Sequence, residues 1–161
     1  MILVSYDGSD DARAAIAHVG RTMPGAEVTV LTVWEPFMSQ MARSGALGLG
    51  AGYLSDDAEV DAANRKGAEE RAAEGAKLAE EAGLTATSRI AERREGIAEA
   101  VLHEAAELDA DLIVTGSRGL TGVRSVLLGS VSHALLQHAD RPVTVVPSPA
   151  VVDERRRRAQ G

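Results

Sequence analysis

The stretch DLIVTGSRGLTGVRSVLLGS, residues 111–130, decides the fold. Asp111–Thr115 is apolar through its middle without polar alternation, the pattern of a strand buried on both faces, as in parallel sheets. The chain leaves that strand through Gly116 and Gly119, where no Cβ keeps a ligand from the backbone. At Gly129-Ser130 a helix begins and runs to His138. The free amides and dipole of a helix start favour an anionic group such as phosphate. Ser130 can cap that helix and offer its hydroxyl to a phosphate with the same geometry. Gly122, between the outer glycines, reads as a turn residue, and Arg118 and Arg124 read as solvated loop arginines or as phosphate partners.

Working outward, the same alternation of strand and helix recurs. Met1–Tyr6 is an apolar strand ended by Asp7-Gly8, and Ser9 caps a helix with Asp10 and Asp11 in its first turn. That helix is expected to stop at Gly20. Glu27–Trp34 is rich in β-branched residues and forms the second strand. Asp56–Ala82 is a helix closed by Gly83, Leu84–Ala91 a third strand, and Gly96–Leu108 a helix turning Ile97, Val101 and Leu108 inward. Pro142–Val146 is the fifth strand. Five apolar strands separated by helices of crossover length make a doubly wound α/β fold, a parallel sheet with helices on both faces. Ligands of such sheets sit at the carboxyl ends of the strands, where the winding reverses. Asp7 therefore stands either in an Asx-turn or at the ligand crevice.

One domain is expected over residues 1–149. Residues 36–56 hold Pro36 and the glycines 45, 48, 50 and 52 without periodicity and read as a flexible loop. Residues 150–161, with Arg155–Arg158, read as a disordered basic tail.

Composition narrows the function. Hydrophobic residues are 45% of the chain but aromatic ones only 2%, so Ala, Val, Leu and Ile fill the core, and platforms for stacking bases of single strands are missing. A net charge of −7 argues against a nucleic-acid partner. No apolar run approaches the length that spans a bilayer, and the apolar N-terminal run is too short for a signal peptide. With no cysteine, thiolate chemistry is absent and a reducing compartment is suited; a cytoplasmic protein without membrane partners is expected. The histidines 18, 103, 133 and 138 are scattered, and the last two are five apart, poor spacing for a metal site.

Known phosphate loops fail: there is no Gly-Lys-Ser/Thr, and the first strand lacks Gly-x-Gly-x2-Gly. The spacing that does hold is Gly-x2-Gly-x9-Gly-Ser/Thr, on Gly116, Gly119, Gly129 and Ser130. With Asp7 ending the first strand and the closing run Arg141–Pro147, it resembles the universal stress protein family in its ATP-binding branch, over nearly the whole chain. The resemblance implies strand order 3-2-1-4-5 and a nucleotide between strands one and four. It implies Asp7 and the backbone near Val33 at the adenine and ribose, Thr115 and Gly116 flanking the nucleoside, and Gly119, Gly129, Ser130 and Val131 on the phosphates. Ser5-Tyr6 departs from the Pro-Thr common in such proteins.

The resemblance also implies a homodimer through Pro142–Val146, an edge whose valines invite pairing. ATP, with Mg²⁺ held by its phosphates, is the expected ligand, and some relatives take cyclic AMP or other adenine nucleotides. The function expected is a nucleotide-dependent sensor or switch in the stress response, since no lysine or general base stands where phosphoryl transfer needs one. The alternatives are a slow ATPase or phosphotransferase, and a dimeric interaction module binding cyclic AMP or no nucleotide.

Overall fold

In the computed structural model, which describes residues 1–44, 57–119 and 128–159, β1 (Ile2–Ser5) lies at the centre of a five-stranded sheet. It pairs in parallel with β2 (Glu27–Trp34) on one side and β4 (Leu112–Gly116) on the other. The outer strands are β3 (Thr85–Glu92) beside β2 and β5 (Val143–Val146) beside β4, both parallel, so the order is β3-β2-β1-β4-β5. This is the expected architecture, and its winding reverses between β1 and β4.

Because strand side chains alternate between faces, β1 feeds two cores. Ile2, Val4 and Tyr6 pack with Ala12, Ala15, Ile16 and Val19 of α1 (Asp10–Thr22) and with Ala76 and Ala79 of α3 (Asp57–Glu81). Leu3 points the other way, with Leu31 and Ile113, toward Ala98, Val101 and Ala105 of α4 (Ile97–Glu107) and Leu135 of α5 (Ser130–His138). The helices turn mostly alanine inward, which lets them lie close on the sheet without aromatic filler.

Three expectations need correction. Gly20 does not end α1, which runs to Thr22; a Cβ on Gly20 would stand 2.6 Å from the Ala82 carbonyl oxygen, so this glycine serves close packing against the end of α3. The aperiodic pattern predicts a flexible loop over 36–56, yet Phe37–Ser44 form a helix, α2. Its start is held from α3, where Asp61 Oδ1 accepts from the Phe37 amide at 2.6 Å, a contact no local pattern announces. The remainder of that loop, 45–56, lies outside the described residues.

The tail is the third. Pro149–Ala159 form α6, opened by a proline at its first position, where the missing N–H costs nothing. Val151 is buried, and Glu154 pairs with Arg118 at 3.2 Å, so the helix is docked on the body of the domain. No described helix is long and apolar enough to cross a membrane.

Candidate functional site

At the carboxyl ends of β1 and β4 the sheet opens into a cleft of about 850 Å³. Its walls include all eight residues named from sequence: Asp7, Val33, Thr115, Gly116, Gly119, Gly129, Ser130 and Val131. They come from four places in the chain, brought together by the reversal of winding between the two central strands.

β1 delivers Tyr6 and Asp7. The ladder continues one residue past the strand, with the Tyr6 amide donating to the Leu31 carbonyl at 2.8 Å and Thr32 Oγ1 donating to the Tyr6 carbonyl at 2.9 Å. The chain then turns at Gly8, whose φ of +83° suits glycine. Asp7 Oδ1 accepts from the Ser9 amide at 2.9 Å, which is the Asx-turn. Its Oδ2 lies against Gly119, where a Cβ would stand only 2.7 Å away. The turn thus uses one oxygen of the carboxylate, and the other stands beside Gly119 in the cleft wall.

The 117–118 segment after β4 is held from the start of α1, from β5 and from the start of α5. Ser117, fully buried, donates its hydroxyl to Asp11 Oδ2 at 2.6 Å, and the Arg118 amide donates to the same oxygen at 3.0 Å. The Ser117 amide donates to the Val146 carbonyl at 2.8 Å, while its carbonyl accepts from the Gly129 amide at 2.7 Å and Ser132 Oγ at 3.1 Å. Ser9 Oγ caps α1 by accepting from the Ala12 amide at 3.2 Å. These bonds fix Gly129 and the 117–118 segment that leads into Gly119, and both glycines line the cleft.

Gly116 has a different reason from the one expected. A Cβ there would stand 2.8 Å from the carbonyl carbon and the Cβ of Asp11 and 2.9 Å from the Ala12 nitrogen. Its missing side chain makes room for the start of α1, not for a ligand. At Gly129 a Cβ would meet nothing closer than 3.4 Å, and its φ of −69° suits any residue. The cap of α5 is Gly129 and not Ser130, which is the first helical residue and exposed. Glycine has no side chain to accept from the next amides, so this helix start carries no side-chain cap where it borders the cleft. An uncapped helix start in a cleft is chemically an anion site.

Four residues that matter here went unread in the sequence. Asp11 looked like a dipole-complementing first-turn acid and is instead the buried clamp of the 117–118 loop. Ser117 and Ser132 were silent because their partners are tertiary. Arg71, from α3, lines the cleft with its stem against Gly8. Arg118 is neither solvated nor free for phosphate: its side chain is 12% exposed and it pairs with Glu154. Arg124 and Gly122 lie outside the described residues.

Tyr6 is not a candidate base. Burial, with the Glu74 carboxylate accepting its hydroxyl at 3.1 Å, pushes its pKa up to about 12, so it stays a neutral phenol at ordinary pH. Among the described residues no cluster of three or more His, Asp or Glu side chains could hold a metal ion.

This geometry has relatives. The sequence profile of the universal stress protein family matches residues 1–147. The chain belongs to the universal stress protein family. A universal stress protein of Thermus aquaticus, encoded in the QAH/OAS sulfhydrylase 3′ region, is 35% identical over 151 residues, covering 90% of this chain and 96% of the relative. The solved structure of a universal stress protein family member from Burkholderia pseudomallei is 25% identical with a TM-score of 0.64, covering 91% of this chain and 94% of that one. That of the universal stress protein from Archaeoglobus fulgidus in complex with dAMP is 21% identical with a TM-score of 0.56, over 90% of this chain and 95% of that one, and shares the fold.

Proposed function

We propose that the chain is an ATP-holding regulatory protein of the stress response, a cytoplasmic sensor or switch that changes partner or conformation with nucleotide occupancy. The observation that carries this reading is the uncapped start of α5 opposite Asp7 and Gly119 in a cleft of nucleotide size. In this reading Gly119, Gly129, Ser130 and Val131 take the phosphates. Asp7 and Val33 take the adenosine, with Thr115 and Gly116 beside it, and Mg²⁺ travels on the phosphates. The sites differ in kind: phosphate binding rests on the backbone amides of Ser130 and Val131 at the α5 start, with Gly129, whose own amide is bonded to the Ser117 carbonyl, leaving room beside them, while the nucleoside end rests on Asp7. The Archaeoglobus fulgidus relative is described with dAMP, an adenine nucleotide, which accords with the choice of ligand class.

Gly129→Val separates ligand from fold. The added side chain finds ordinary contacts at its Cβ, so stability changes by about 1 kcal/mol, the cost of a poor cap residue. The branched side chain intrudes on the phosphate path, and ATP affinity drops by roughly tenfold or more. Calorimetric titration beside thermal unfolding checks both; ATP binding unchanged in a folded variant removes the phosphate site.

The same reading makes the protein a homodimer through β5. Among the described residues this strand pairs only with β4, which leaves its outer edge for a second chain. Light scattering on the eluting protein is expected to give the mass of two chains, and a monomer that persists as concentration rises refutes the pairing.

A further inference from the structure

The cleft contains a cation that the glycine motif does not account for. Arg71 lies on α3, in a part of the chain far from every motif glycine, and is half-buried in the cleft wall. Its position follows from a neighbour on the same helix. Gly75, one turn on, lacks a Cβ that would stand 2.8 Å from both Tyr6 Cδ1 and Val30 Cγ1, so α3 lies unusually close over the end of β1. That approach sets the Arg71 stem against the turn after β1: its Cδ and Nε are 3.5 and 3.7 Å from where a Cβ of Gly8 would be.

Glu74, three residues along and on the same face, does not neutralise it. The Glu74 carboxylate is taken by Arg13 at 2.6 Å and by the Tyr6 hydroxyl. Among the described residues no hydrogen bond or ion pair engages the Arg71 guanidinium. Arg71 as a residue is partly buried, and the planar forked donors of a guanidinium suit phosphate. The other arginine on the described walls, Arg118, is paired with Glu154.

We propose that Arg71 binds the terminal phosphates of the nucleotide and thereby makes the cleft prefer tri- and diphosphates to a monophosphate. The proposal rests on the nucleotide reading above and adds to it the residue that discriminates by phosphate number.

The test compares the wild-type chain with Arg71→Met, which keeps the apolar stem that packs on Gly8, and Arg71→Lys, which keeps the charge without the fork. Each is titrated calorimetrically with ATP, ADP and AMP at two salt concentrations. Arg71→Met is expected to lose about tenfold in ATP affinity but no more than about twofold for AMP, and to show a shallower salt dependence for ATP. Arg71→Lys is expected to recover most of the ATP loss. Equal losses for ATP and AMP, or an unchanged ATP-to-AMP ratio, overturn the role of Arg71 while leaving nucleotide binding in place. A wild-type chain that takes up none of the three nucleotides overturns the nucleotide reading itself, and this inference with it. Should Arg71→Met not fold, Arg71→Gln decides: a preference for ATP lost while AMP binding is kept supports the role of Arg71, and a wild-type ATP-to-AMP ratio refutes it.

Discussion

Gly116→Ala is expected to unfold roughly 10 °C below the wild-type chain, because a single methyl group has nowhere to go. The new Cβ would lie 2.8–2.9 Å from three atoms of Asp11 and Ala12, two of them backbone atoms at the start of α1. Flexible side chains yield to such an intrusion, but a helix backbone moves only as a unit. Overpacking of this kind costs about 1–3 kcal/mol and sometimes more. For a domain of this length each kcal/mol lowers the midpoint by about 2–4 °C. Nucleotide affinity is expected to fall as well, since the start of α1, with its cap Ser9 and with Asp11, holds both the Asp7 turn and the 117–118 segment. Thermal unfolding checks the first effect and calorimetric titration the second. A Gly116→Ala chain as stable as wild type but unable to bind ATP would restore the view that this glycine exists for ligand access.

The second large effect is expected at Asp11. Its carboxylate is 5% exposed and its Oδ2 accepts two hydrogen bonds from the 117–118 loop. Hydrogen bonds to a charged group contribute about 1.5–3 kcal/mol, and orphaned buried donors add a desolvation cost. Asp11→Ala leaves the Ser117 hydroxyl and Arg118 amide unpaired, so about 3 kcal/mol of stability goes. The loop that presents Gly119 then loses its anchor, and ATP affinity is expected to fall by about tenfold or more. Asp11→Asn keeps an oxygen that can accept both bonds and is expected to lose only about 1 kcal/mol, the difference between a charged and a neutral acceptor. Urea unfolding with titration of the two variants tests this. Asp11→Ala and Asp11→Asn behaving alike would mean that the clamp contributes charge at the start of α1 and not hydrogen bonds.

Most of the architecture was legible because its signals are local. Five apolar runs bounded by turn residues, with amphipathic or alanine-rich stretches between them, suffice for a parallel sheet. The glycine spacing located the crevice because backbone openness and a helix start are written in adjacent residues. What escaped was whatever depends on two distant segments meeting. The α2 helix starts on a carboxylate from α3, twenty-four residues on, and α6 is docked by an ion pair to the motif loop. Asp11 reads as an ordinary first-turn acid until β4 is laid beside α1. Arg71 is one more charge on an exposed-looking helix until Gly75 brings that helix down onto Tyr6. Gly116 was recognised as essential for the wrong reason: sequence can say that a Cβ is forbidden, but only packing says what forbids it.

In the proposed reading the glycine-led opening and the uncapped α5 start hold a nucleotide, and Tyr6 is kept neutral and bonded to Glu74 instead of being free to move a proton. The most direct measurement is calorimetric titration of ATP into wild-type protein stripped of any nucleotide. The account predicts saturation at one ATP per chain, with the nucleotide recovered intact afterwards. The absence of saturable uptake at millimolar ATP would contradict it.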